Sequence, residues 1–195
     1  WRRYTKNIAV NEQDLEASTP NTNPLEIGSV NLEENALGQP PYVLPPGIDR
    51  QILSGNSGAQ RQNESSLYMK VKDLKGESRG VFKNTSLDMR RYKKLKLFVH
   101  AENQTNTTTS NTSELDKNAK FFIRFGSDAT DNYYEYEASL KYTSKTARSP
   151  LEIWPTENNV NLEIQNFVDA KLRKDQSGVT IDTRYTDSVY GDDNK

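Results

Sequence analysis

Four acidic residues, Asp128, Asp131, Glu135 and Glu137, stand close together in the chain. Carboxylate oxygens at that density suit calcium, a hard cation that takes roughly six to eight oxygen ligands. Their spacing is not that of an EF-hand loop, and acids are ordinary in loops and on the solvent face of strands. No cofactor is therefore expected, with calcium as the one ion these residues could hold. Nearby aromatics offer a second chemistry. Tyr133, Tyr134, Tyr136, Tyr142 and Trp154 could form a platform for sugar rings. They could equally be core, with Tyr134, Tyr136 and Tyr142 facing inward and Trp154 beside Pro155, because aromatics dominate core energetics. His100 is the single histidine. Acid–base or triad chemistry would need an activated nucleophile near it, and no G-x-S-x-G or similar motif supplies one. No phosphate-binding glycine loop, metal-ligand cluster or paired-carboxylate framework is readable, so catalysis is not expected.

Composition narrows the class. The chain has 195 residues, enough for one domain with loose ends. Hydrophobic residues make up 33%, so the core is modest and polar loops are extensive. Net charge is −1, which argues against nucleic acid, where a basic stripe is expected. The run Arg90-Arg91-Tyr92-Lys93-Lys94 is short and offset by nearby acids, and reads as solvated surface. With no cysteine, disulfides, zinc thiolates and thiol catalysis are excluded. No apolar run of about 18 residues predicts a membrane helix. Trp1-Arg2-Arg3-Tyr4 is followed by no apolar stretch of signal-peptide type. A start without Met is the expectation for a fragment of a longer protein. Asn63, Asn84, Asn103, Asn106 and Asn111 each open an N-x-Ser/Thr sequon, which an Asn/Thr-rich chain also produces by composition.

The elements that would position these residues are mainly strands. Phe121, Ile123 and Phe125 alternate with Phe122 and Arg124. After a loop at Gly126–Asn132, Tyr134, Tyr136, Ala138, Leu140 and Tyr142 alternate with Tyr133, Glu135, Glu137, Ser139 and Lys141. This period-2 pattern predicts a β-hairpin with the acids on its solvent face. Further strands are expected at Leu67–Val71, at Val81 and Phe82, and at Leu95–Val99. A short helical turn is expected within Leu87–Tyr92. Ile164, Phe167, Val168 and Leu172 suggest an amphipathic helix capped by Asn158 or Asn159, while Val160, Leu162 and Ile164 suggest a strand instead. Val179 and Ile181, with Thr183 as an optional third position, suggest a last short strand. The tract Gln104–Asn111 has no apolar residue and is expected to be a mobile loop. Pro40–Gly47 holds four prolines and reads as extended. These features divide the chain into a polar arm at 1–39, a domain at 40–186 and a polar tail at 187–195. Ile27, Val30 and Leu32 could add a short strand within the arm. The fold class expected is an antiparallel β-sandwich, jelly-roll-like, with one short helix and long loops.

Several segments together resemble one family. They are Trp1–Tyr4, Pro41–Arg50, Gln62–Leu67, Val81–Thr85, Asp88–Tyr92 with Leu95–Glu102, the hairpin, and Trp154–Asn159. In these the chain is similar to the SprA/Sov family of the Bacteroidetes, from Trp1 to about Lys174. The resemblance implies a soluble domain inserted in a large outer-membrane β-barrel, the translocon of the type IX secretion system. That protein exports cargo to the cell surface and is needed for gliding motility. Implied partners are the parent barrel, a PorV-type shuttle, a periplasmic plug and secreted cargo. No catalytic residue is implied. The domain itself would lie at the surface or in the periplasm without entering the membrane, since its strand faces are charged rather than apolar. A carbohydrate-binding module, using Tyr133, Tyr134 and Trp154, is the alternative. Asp128 and Asp131 would add partner or ion contacts.

Overall fold

A computed structural model describes residues 25–52, 61–71, 78–103, 119–127 and 132–188. Among them the secondary structure is mostly β, in three antiparallel two-stranded ladders with short helices. A jelly-roll needs sheets of several strands packed face to face. The described residues form pairs instead. The chain divides into two compact units, one of residues 1–85 with 143–153 and one of residues 86–142 with 154–195.

In the first unit, β1 (Leu25–Asn31) pairs with β2 (Ser65–Val71). Alternation puts Leu25 and Ile27 on one face with Leu67, Met69 and Val71. On the other face Gly28 lies opposite Tyr68, whose ring fills the space a β-carbon would need and whose hydroxyl donates to Glu26 at 2.8 Å. The expected arm therefore contributes a paired strand. Asn31 ends β1 and caps α1 (Leu32–Asn35): its Oδ1 accepts from the Glu34 N–H and its Nδ2 donates to the Glu34 carboxylate, both at 2.9 Å. The backbone N–H of Asn31 is taken by Asn35 Oδ1 at 3.0 Å, so the cap is closed from both sides. The proline-rich run stays irregular and ends in a turn. Ile48 N donates to Pro45 O, and Gly47 takes φ 78°, which a side chain would resist. Tyr42 bonds Ser66 at 2.7 Å, tying the run to β2. The returning segment 143–153 ends in α2 (Pro150–Ile153) and buries Thr143, Ala147 and Ile153.

In the second unit, β3 (Lys94–Leu97) pairs with β6 (Val160–Glu163), and β4 (Lys120–Gly126) pairs with β5 (Tyr133–Ser139). A long helix, α3 (Gln165–Gln176), follows β6 directly. Strand and helix are thus both present, in sequence. Neither Asn158 nor Asn159 caps α3, because Ile164 occupies the cap position without a side-chain bond. Asn158 is buried and clamps Lys141 instead, accepting from its N–H at 2.7 Å and donating to its carbonyl at 2.8 Å. Among the described residues of this unit, Trp154, Pro155, Val160, Leu162 and Ile164 are buried and apolar.

Other local expectations shift. The helical turn forms as a 3-10 turn at Met89–Arg91, capped by Asp88. β3 stops at Leu97, short of Val99 and His100. Val81 and Phe82 form no strand beyond an isolated bridge residue at Phe82. Val179 and Ile181 also form none. The turn at 181–182 is held by the Lys174 ammonium on the Ile181 carbonyl at 2.9 Å, and Ile181 is exposed. The tract Gln104–Asn111 lies outside the described residues.

Candidate functional site

Among the described residues a dense polar arrangement lies on one face of the β4–β5 hairpin, termed its outer face. The register sets Arg124 opposite Glu135 and Phe122 opposite Glu137, with Gly126 opposite Tyr133. All six side-chain positions share one face. Gly126 is required at the end of β4, because a β-carbon there would collide with the Asn132 carbonyl and with Tyr133. Cross-strand opposition makes the Arg124 and Glu135 partners adjacent by construction. Arg124 Nε and Nη2 both reach Glu135 Oε2 at 2.7 Å. Arg184 Nη2 donates to the other oxygen, Oε1, at 2.9 Å. The Arg124 guanidinium lies 4.0 Å over the Tyr133 ring and 5.5 Å from the centre of Phe122. Guanidinium on an aromatic face is favourable and more so when partly desolvated.

This overturns part of the expectation that the acids form a solvent face. The Glu135 side chain is 10% exposed and Arg124 16%. A carboxylate can be withdrawn this far from water because each oxygen meets a guanidinium. Glu137 behaves as expected: it is exposed and pairs with Lys120.

The predicted site residues do not converge. Tyr133 lies on the outer face beneath Arg124. Tyr134 points to the opposite face, where it meets Phe167 of α3 at 5.6 Å between ring centres, beside Phe125 at 6.2 Å. Trp154 is 5% exposed and packs edge-on against Phe98 and His100. A sugar platform needs exposed rings on a common surface, and these three do not share one. His100 stands 5.7 Å from Trp154 and 4.0 Å from the Glu102 carboxylate, in a packing role beside the tryptophan. Asp128 and Asp131 lie outside the described residues. Of the possible calcium ligands, Glu135 is engaged by two arginines and Glu137 by a lysine. Among the described residues no group of three or more His, Asp or Glu is placed to hold a metal ion. The basic run is offset as expected, Arg90 by Asp88 at 2.9 Å and Lys94 by Glu163 at 3.4 Å. The Asp88 carboxyl is held below its usual range chiefly by that Arg90 bond.

Sequence reasoning did not find Arg184, the second cation on Glu135. It stands 49 residues away from Glu135 in a polar stretch with no periodic signal. The cross-strand pair itself was readable from the hairpin alternation.

No helix among the described residues is long and apolar enough to cross a membrane. No curated protein matches the chain. A family model, SprA_N, described as motility related/secretion protein, matches residues 1–195. The chain belongs to that family.

Proposed function

We propose that this member of the SprA_N family acts as a non-enzymatic binding and positioning domain in the outer-membrane translocon of the type IX secretion system. In that role it serves protein export to the cell surface and gliding motility. The observation that carries the proposal is the family match along residues 1–195, to a family described by motility and secretion. Within the reading, the parent β-barrel, a PorV-type shuttle, a plug protein and secreted cargo are the partners. The domain lies in the aqueous space beside the outer membrane.

Two features support a role through shape rather than chemistry. In the polar cluster on the hairpin both Glu135 oxygens accept from guanidiniums, so neither is offered to a substrate proton. The strands run four to seven residues and carry Lys, Arg and Glu on one face. A tilted membrane strand needs about nine to eleven residues and an apolar outward band. A jelly-roll-like sandwich, completed by further strands, belongs to the same proposal.

Replacing residues 25–188 by a short flexible linker in the full-length protein tests it. Secretion of type IX cargo and surface movement are expected to fail while the protein still fractionates with the outer membrane. Normal secretion by that variant would overturn the proposal.

A further inference from the structure

The stretch after α3 is irregular, yet three polar anchors hold it. The Lys174 ammonium donates to the Ile181 carbonyl at 2.9 Å, Arg173 pairs with Asp187, and Arg184 reaches Glu135 on the hairpin. Of its apolar side chains Ile181 is 88% exposed and Tyr185 is half-buried. These three anchors to the rest of the unit are charged ones.

The attachment to the hairpin is asymmetric. Arg184 is 54% exposed, whereas Glu135 is 10% exposed. Glu135 presents a different oxygen to each arginine. Loss of Arg184 therefore leaves Glu135 Oε2 bonded to Arg124 and Arg124 stacked on Tyr133, while Oε1 gains access to water. The hairpin keeps its internal charge balance without the strap. Without Glu135 the strap keeps only its anchors on α3, at Arg173 and Lys174.

We infer that residues 181–188 form an ionic strap that detaches from the outer face of the β4–β5 hairpin without unfolding it, exposing the Arg124–Glu135 pair. Release is driven by loss of charge attraction, and added salt favours it through the two half-exposed arginines, Arg184 and Arg173, less strongly than for fully exposed pairs because Glu135 is sheltered. The inference does not depend on the secretion role.

Backbone amide relaxation on the full chain tests it, with hydrogen exchange read at the paired amides of the hairpin. Arg184→Ala is expected to raise the detached population of residues 181–188 by roughly three- to fivefold, the scale of one partly exposed ion pair, seen as a lower heteronuclear Overhauser effect at Tyr185–Ser188 with hairpin exchange unchanged. Arg184→Lys keeps the charge and is expected to restore part of the order. Sodium chloride at high concentration should reproduce the effect in the unaltered protein and have little further effect in Arg184→Ala combined with Asp187→Asn. Unchanged strap relaxation in Arg184→Ala overturns the inference. So does faster exchange in the hairpin, which would make Arg184 part of the hairpin's structure, or an undiminished salt response in the double variant.

Discussion

The carboxylate of Glu152 gathers three donors within one turn: the N–H groups of Arg148 and Ser149 at 3.1 and 3.0 Å and the Ser149 hydroxyl at 2.9 Å. Ser149, Pro150 and Glu152 thus make a capping box with proline at the first helical position. The bonds hold the Glu152 carboxyl down to about 2, with the Ser149 and Arg148 N–H groups as the leading causes and slight desolvation of this exposed side chain opposing them. A carboxyl whose folded value is depressed contributes stability above its ordinary value of 4.5, and that contribution fades as pH falls toward about 2. Carbon-detected titration should therefore find Glu152 still ionised at pH 3, and Glu152→Gln should flatten the acid limb of the stability curve in that window. A Glu152 midpoint near 4.5 would contradict the capping geometry. Asn158 supports a second test. It is 4% exposed and makes both bonds to the Lys141 backbone. Asn158→Ala leaves a sheltered N–H and carbonyl unpartnered, so urea unfolding should show a loss of about 1–3 kcal/mol. Asn158 and Asn159 were the two alternative caps expected for the helix; an asparagine before an apolar run reads as a cap whether it reaches forward in the chain or across to a distant backbone.

At the level of elements, the hairpin and α3 hold each other through one ring. Phe167 meets Phe125 and Tyr134, while its neighbour Val168 is 52% exposed. Phe167→Ala should cost about 2 kcal/mol in thermal or urea unfolding, the value of burying one aromatic side chain. Val168→Ser should stay within about 0.5 kcal/mol, as surface changes do. Equal losses would show that the helix packs by another face. Gly126→Ala tests the hairpin itself. The new methyl would have to displace the Asn132 carbonyl and the Tyr133 backbone, so β4–β5 pairing should be disrupted, with a loss of about 1–3 kcal/mol as in overpacked sites. The hairpin was legible because its signal is local: alternating faces, aromatic content and a close partner strand. Both strand runs at Leu67–Val71 and Leu95–Leu97 were legible for the same reason, but their partners were not. β1 and β2 are separated by a long insertion, and β3 finds β6 from the far side of the hairpin. Period-2 alternation says which face is buried and is silent on which strand covers the edge. Val179 and Ile181 misled because two β-branched residues without a partner strand do not suffice for a ladder.

For the whole molecule, low apolar content and chain routing lead to one consequence. With 33% hydrophobic residues, each compact unit has few buried apolar side chains to spare. The first unit draws Ala147 and Ile153 from the segment 143–153, which arrives after the chain has already built much of the second unit. The segment's Thr143 hydroxyl also donates to the Ile153 carbonyl at 3.2 Å, so its two ends are fixed together. A cut near residue 85 therefore does not yield two domains. Residues 1–85 alone keep the β1–β2 ladder and lose the returning segment, and a two-stranded ladder without further packing is marginal in water. Isolated 1–85 is expected to give a poorly dispersed amide spectrum and no cooperative melting transition. The 195-residue chain should give dispersed strand resonances for both Ser65–Val71 and Tyr133–Ser139. A cooperative transition in 1–85 would mean that its apolar face, with Leu67, Met69 and Val71 between 36% and 39% exposed, is covered from within those residues. Its absence would tie the first unit to Thr143–Ile153 and make any functional dissection at a single cut point a test of folding rather than of role.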